Sequence, residues 1–194
     1  IDNWCEDFNQ ILEFLEVGKI DLCGYSMGGR LAIAFASKYP KKINKLILES
    51  TSYGIENKEE RGKRFQEDLN LCNLIEKNLP EFVQKWESSP LFSKQRDRNS
   101  QGFLNQEKQR LSHNPSQLNK ALKSFSQANM RFYKDQISKF SFPVIIINGS
   151  EDSKYVKIGN DLSVLCKNNT QHTILDCGHN THLEQPSKFI DCLK

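Results

Sequence analysis

Hydrophobic positions follow two different rhythms along the chain. Trp4, Phe8, Ile11, Leu12 and Leu15 share one face at helical spacing, which predicts an amphipathic helix over residues 3–17, ended by Gly18 and packed on a sheet. A short apolar strand beginning at Ile20 follows, then a helical run from Gly29 to Lys38 stopped by Tyr39 and Pro40, then a second strand over Lys45–Ser50. Strand, helix and strand in this order imply parallel pairing. From about Tyr53 to Gln136 the chain turns polar, charged and helix-favouring, with Phe65, Leu69, Leu71, Phe82, Val83, Trp86 and Phe92 scattered through it and no clear strand. The parallel rhythm resumes at Pro143–Asn148, a nearly continuous apolar run of the kind a strand buried on both faces shows. Thr173–Asp176 is a further strand candidate, and a helix over Pro186–Leu193 closes the pattern. The expected organisation is a core formed by residues 1–52 and 139–194, interrupted by a helical insertion over 53–138.

Composition narrows the field mainly by exclusion. A chain of 194 residues can bury a sizeable core and reads as one domain carrying an insertion. The formal charge is +3, with Lys and Arg interleaved among Asp and Glu, so no basic stripe for a nucleic-acid partner stands out. A small anionic ligand held by a few arginines fits this balance. The six cysteines, at 5, 23, 72, 166, 177 and 192, form no CxxC pair and no cluster, and no leader-like segment accompanies them. Reduced thiols in the cytoplasm are therefore expected, with Cys23 and Cys177 serving packing. No apolar run approaches the roughly 20 residues needed to cross a membrane. A monomer or weak homo-oligomer without membrane contact is the expectation.

Candidate chemistry is concentrated at three strand ends. Gly24-Tyr25-Ser26-Met27-Gly28 lies between the first strand and the helix that follows it, the context of a nucleophile elbow. Such a turn holds its serine in a strained conformation at the tip of the strand, and small residues are expected two places before and after it, here Gly24 and Gly28. The backbone N–H of Met27 would supply an oxyanion donor. The apolar run ending at Asn148 opens into Gly149-Ser150-Glu151-Asp152, which places Asp152 where a triad acid belongs, with Glu151 and Asp176 as competitors. The last strand leads into Cys177-Gly178-His179, and His179 is the candidate base. The order Ser, Asp, His is that of α/β-hydrolases, an α/β fold with a mostly parallel sheet and, here, an inserted helical cap. His182 lies three residues beyond His179, but no third ligand at metal-site spacing accompanies the two, so neither metal nor other cofactor is expected. His113 and His172 sit in polar surroundings and read as surface residues.

Gly24-Tyr25-Ser26-Met27-Gly28-Gly29-Arg30, Leu48-Glu49-Ser50, Gly149-Ser150-Glu151-Asp152-Ser153-Lys154 and Gly178-His179-Asn180-Thr181-His182 together resemble one branch of the α/β-hydrolases. That branch is the 2-succinyl-6-hydroxy-2,4-cyclohexadiene-1-carboxylate synthase family of menaquinone and phylloquinone biosynthesis. Segments 59–64, 85–92 and 109–114 are similar to that family's cap. The resemblance implies a lyase that uses Ser26, Asp152 and His179 to abstract a proton and expel pyruvate from a cyclohexene bearing several carboxylates. It further implies that Arg30, Arg64 and Arg110 hold those carboxylates, with Arg61 a competitor of Arg64, and that Tyr25 and Trp86 line the pocket. Guanidinium suits this task because it pairs bidentately with a carboxylate and stays charged.

An ordinary carboxylesterase of the same fold would share the triad without needing the arginines. A catalytically silent relative acting as a binding module commonly lacks a triad member, whereas all three are present here. In an α/β-hydrolase several strands precede the elbow, one of them supplying the second oxyanion donor from its loop, and this sequence opens one helix upstream of Ser26. The expectation is that those strands belong to a longer natural chain and that this stretch alone is poorly folded or inactive.

Overall fold

The computed structural model describes residues 1–194. In chain order the elements are α1 (Asp2–Phe14), β1 (Ile20–Tyr25), α2 (Met27–Lys38), β2 (Ile43–Glu49), α3 (Lys58–Lys77), α4 (Leu79–Glu87), α5 (Gln95–Arg98), α6 (Ser100–Leu111), α7 (Pro115–Ser124), α8 (Lys134–Ile137), β3 (Val144–Gly149), α9 (Ser153–Leu165), β4 (Asn169–Ile174), α10 (Thr181–Glu184) and α11 (Pro186–Asp191). They form two compact units, one of Ile1–Tyr53 with Tyr133–Lys194 and the other of Gly54–Phe132. Residues 133–138, assigned from sequence to the insertion, pack with the first unit.

The first unit is a four-stranded parallel sheet in the order β1-β2-β3-β4. β3 is buried at all six of its positions, which is why its sequence is an unbroken apolar run. Ile47, Ile145, Ile147, Ile174 and Cys177 make one core cluster, and Phe189, Cys192 and Leu193 pack on it. α2 contributes Ile33 and Phe35, both fully buried, and its contacts run to β1 and β2. Burying side chains of this size stabilises by roughly 1.5–3 kcal/mol each.

Several expected boundaries move, each for a local reason. The first helix stops at Phe14 rather than 17 because Glu16 takes a left-handed φ of 56°, and Val17 N–H then bonds back to the Leu12 carbonyl at 2.8 Å. Its Trp4 and Phe8 rings meet Phe35 of α2, while Ile11 and Leu15 are exposed, so the helix rests on α2 rather than on the sheet as expected. The last strand covers 169–174 instead of 173–176: as an edge strand it buries only Ile174, so Asn169, Thr170, Gln171 and His172 carry no apolar signal. Cys177 packs in the core as expected, whereas Cys23 is exposed on the other edge strand. All six cysteines are free thiols.

The second unit is helical throughout. Asparagine side chains open four of its helices: Asn57 accepts from Glu59 N–H at 2.8 Å, Asn78 from Glu81 at 3.2 Å, Asn99 from Gly102 at 2.9 Å and Asn114 from Gln117 at 3.1 Å. Each such cap stabilises by about 1 kcal/mol. Ile75, Leu79, Phe82 and Val83 form its core, flanked by Leu71, Leu74, Trp86, Leu118 and Leu122. Phe65, by contrast, is exposed. No helix of the chain is long and apolar enough to cross a membrane.

Candidate active site

Ser26 links β1 to α2 with φ 49° and ψ −109°, a conformation few non-glycine residues adopt. Three bonds hold it there: its N–H donates to the Glu49 carbonyl at 2.9 Å, and its own carbonyl accepts from Thr51 Oγ1 at 2.7 Å and from Arg30 N–H at 3.2 Å. A Cβ on Gly24 would lie 2.6 Å from the Gly28 carbonyl oxygen, so the residue two before the serine must be glycine. The expectation for Gly28 is corrected: a Cβ there meets nothing within 4 Å, and the tight position is Gly29, whose Cβ would fall 2.5 Å from that of Thr51.

The other two candidates come from the ends of β3 and β4. Asp152 is the N-cap of α9, taking the Tyr155 N–H at 3.3 Å, and its second oxygen lies 2.5 Å from His179 Nδ1. His179 Nε2 is 3.0 Å from Ser26 Oγ. His179 is 2% exposed and Asp152 8% exposed, so the pair is shielded from water. With Nδ1 donating to the carboxylate, Nε2 is left to accept the serine proton, the arrangement needed for a histidine-activated hydroxyl. Glu151 and Asp176, the competing acids, are exposed, and His113 is exposed as well. No group of three or more metal-ligating side chains occurs.

Around these three the structure places Tyr25, expected from sequence to line the pocket, together with Tyr155 and Glu49, to which no role was given from sequence. Tyr155 places its ring 4.6 Å from that of His179, and Tyr25 lies 5.3 Å from His179 and 5.1 Å from His182 between ring centroids. Glu49, 1% exposed, accepts from Thr181 Oγ1 at 2.6 Å, from His182 N–H at 3.0 Å and from His182 Nδ1 at 2.7 Å. The signal was present as a carboxylate closing the apolar run Leu46-Ile47-Leu48. A strand end facing a polar cluster is where such a residue survives.

Met27 begins α2 without a capping side chain from Ser26, which leaves first-turn N–H groups for an anion. Arg30 is buried on the same helix, 5% exposed. The remaining expected residues belong to the second unit. Arg64 donates to Asp68 at 2.9 Å and Gln127 at 3.2 Å, and Arg110 to Glu87 at 2.7 Å and Gln106 at 3.0 Å. Arg61 instead holds the Ala128 carbonyl at 3.1 Å. Trp86 stacks on Phe82 at 5.8 Å and meets the tilted ring of Phe92 at 5.6 Å.

Ser26, His179 and Asp152 are thus hydrogen-bonded in series beyond the C-terminal ends of parallel strands, and the chain belongs to the alpha/beta hydrolase fold family, which matches residues 1–186. A putative 2-succinyl-6-hydroxy-2,4-cyclohexadiene-1-carboxylate synthase of Bacillus subtilis is 32% identical over 184 residues, covering 94% of this chain and 67% of that protein. The synthase of the same name from Salmonella schwarzengrund is 26% identical over 90% of this chain and 67% of its own length. Among solved structures, MenH from S. aureus superposes with a TM-score of 0.94 at 30% identity, over 99% of this chain and 73% of that one. A thermophilic esterase from Thermogutta terrifontis, at 23% identity and TM-score 0.83 over 97% of this chain and 68% of that one, shares the fold. Within the family the chain thus falls in the synthase branch.

Proposed function

We propose that the protein is a carbon–oxygen lyase that eliminates pyruvate from 2-succinyl-5-enolpyruvyl-6-hydroxy-3-cyclohexene-1-carboxylate to give 2-succinyl-6-hydroxy-2,4-cyclohexadiene-1-carboxylate, a step of menaquinone or phylloquinone biosynthesis. The observation that carries this reading is the 32% identity to the B. subtilis protein over nearly the whole chain. The Ser26–His179–Asp152 hydrogen bonds supply the chemistry it needs. His179 takes the Ser26 proton while the Ser26 oxygen removes a ring proton. The ring C–O bond then breaks, its electrons leave with enolpyruvate, which ketonises to pyruvate, and His179 returns its proton.

The Met27 N–H stabilises charge that develops on the substrate. Arg30, buried one turn into α2, pairs with a substrate carboxylate, and Tyr25 lines the pocket beside the two histidines. The roles of Arg64, Trp86 and Arg110 rest on the residue match alone. No cofactor is required, and the enzyme works in the cytoplasm or a plastid as a monomer or weak homo-oligomer.

The test is pyruvate release from that substrate by the natural full-length protein, with Ser26→Ala as control. Release abolished by the substitution establishes both reaction and base. A folded protein that releases no pyruvate but cleaves aryl esters through Ser26 is an esterase instead.

A further inference from the structure

Glu49 is bonded to Ser26 and to the loop just after His179. It is the last residue of β2, opposite Tyr25 in the parallel register, and its carbonyl oxygen takes the Ser26 N–H at 2.9 Å. Its side chain, almost wholly buried, reaches the other way and collects three donors from the stretch just after His179: Thr181 Oγ1, His182 N–H and His182 Nδ1. One residue therefore connects the backbone that sets Ser26 with the loop that carries the imidazole. A buried carboxylate needs several donors to be tolerated, and here all three come from the same loop.

Other contacts act on this loop and its ring: Tyr155 and Tyr25 pack on His179 at 4.6 and 5.3 Å between ring centroids, and Glu151 N–H donates to the Cys177 carbonyl at 3.0 Å. Glu184 closes the loop on itself by taking the Gly178 N–H at 2.7 Å. Asp152 orients the ring through Nδ1 but comes from the loop after β3, on the far side of β2 from Ser26. Apart from the Ser26–His179 bond itself, hydrogen bonds through Glu49 run from the serine to the histidine loop. His182, whose spacing from His179 suggested a metal pair, serves the same clamp: facing a carboxylate, its Nδ1 carries the proton and donates.

We infer that Glu49 is a positioning residue that, with Thr181 and His182, fixes the separation of Ser26 Oγ and His179 Nε2 at reacting distance. The serine–histidine pairing it serves rests on the reading above. Removing the clamp lets the loop shift, and a displacement of about 1 Å in a reacting pair lowers the rate on the order of 10–100-fold. In Glu49→Gln one carboxylate oxygen becomes an amide donor facing donors. Thr181→Val removes one bond at constant shape, and Thr181→Ser retains it.

Two readouts are taken on the natural full-length protein at a temperature where melting curves show every variant folded: kcat and KM for pyruvate release, and the rate at which a fluorophosphonate labels Ser26. The expected result is a 10–100-fold fall in kcat and in labelling for Glu49→Gln, a smaller fall for Thr181→Val, KM within about twofold, and Thr181→Ser close to the parent. Folded Glu49→Gln and Thr181→Val proteins that label at the parental rate overturn the inference. If Glu49→Gln does not fold, the comparison of Thr181→Val with Thr181→Ser decides in the same way. A parent that labels but releases no pyruvate removes the lyase reading and leaves the labelling comparison intact.

Discussion

The side chain of Thr51 fills the space beside Gly29 so closely that a Cβ on the glycine would lie 2.5 Å from the Thr51 Cβ and 2.6 Å from its Oγ1. That Oγ1 is the donor to the Ser26 carbonyl. Gly29→Ala must therefore push away a group that holds the elbow, at a cost of about 1–3 kcal/mol, the usual range for overpacking. Gly28→Ala, with open space around its Cβ, should be neutral or stabilise by up to about 1 kcal/mol through helix propensity. Denaturant unfolding of the two variants separates them. Equal destabilisation by both would mean that the motif's second glycine is under a constraint other than the one described.

Asp152 performs two tasks that one substitution pulls apart. Its carboxylate orients His179, and it also caps α9 through the Tyr155 N–H. Asparagine remains a good N-cap but presents an amide where the imidazole Nδ1 needs an acceptor. Asp152→Asn should leave the melting temperature nearly unchanged while lowering kcat on the order of 10⁴-fold, the size seen when a triad histidine is held in the wrong tautomer. A drop in stability with kcat intact would reverse the assignment and make Asp152 a cap only.

Part of this arrangement could be read from residue order: β3, buried at all six positions, leaves an unbroken apolar run before Asp152, whereas Ser26 was read from the glycine pattern around it. Ser26 and Asp152 come after β1 and β3, and the run through β3 is apolar because both faces are covered. His179 was singled out from its motif, and the structure brings it within hydrogen-bond distance of Ser26 and Asp152 even though its strand was misplaced, since an edge strand with one buried side chain leaves no hydrophobic period to read. Gly29 and Glu49 escaped for a different reason. What fixes them is contact with Thr51, Thr181 and His182, and pairwise proximity across a parallel sheet has no period in sequence. The arginines were singled out from sequence as a set by the resemblance alone. Sequence did not show that Arg64 and Arg110 each have a nearly buried carboxylate, Asp68 or Glu87, beside them.

The Arg110–Glu87 pair gives a test with two independent readouts. Glu87 is 7% exposed, and deleting its cation leaves a nearly buried carboxylate without its charge partner. Arg110→Met should destabilise by about 2–4 kcal/mol. Adding Glu87→Gln removes the stranded charge and should recover most of that loss. If Arg110 also binds a substrate carboxylate, KM stays raised in the double variant although stability returns. Recovery of both KM and stability would reduce Arg110 to a structural partner of Glu87.

Stability at alkaline pH should report on Cys166, which is 1% exposed and whose thiol is pushed up to about 11 from 9.0 by desolvation. Below pH 9 the thiol keeps its proton in both folded and unfolded chains, so it contributes no pH dependence. Between about 9 and 11 the unfolded chain releases the proton while the folded one retains it. The unfolded state then binds fewer protons, and stability falls as pH rises, by about 2–3 kcal/mol once both forms are ionised. Cys5 is also raised to about 11 and adds to the slope. Urea unfolding under reducing conditions at pH 8, 9 and 10 measures it. Cys166→Ala should be less stable than the parent at pH 8, because a buried sulfur is lost, yet show a shallower decline toward pH 10. Parallel declines in parent and variant would mean that the Cys166 thiolate is accommodated in the fold, and that the alkaline loss comes from other groups.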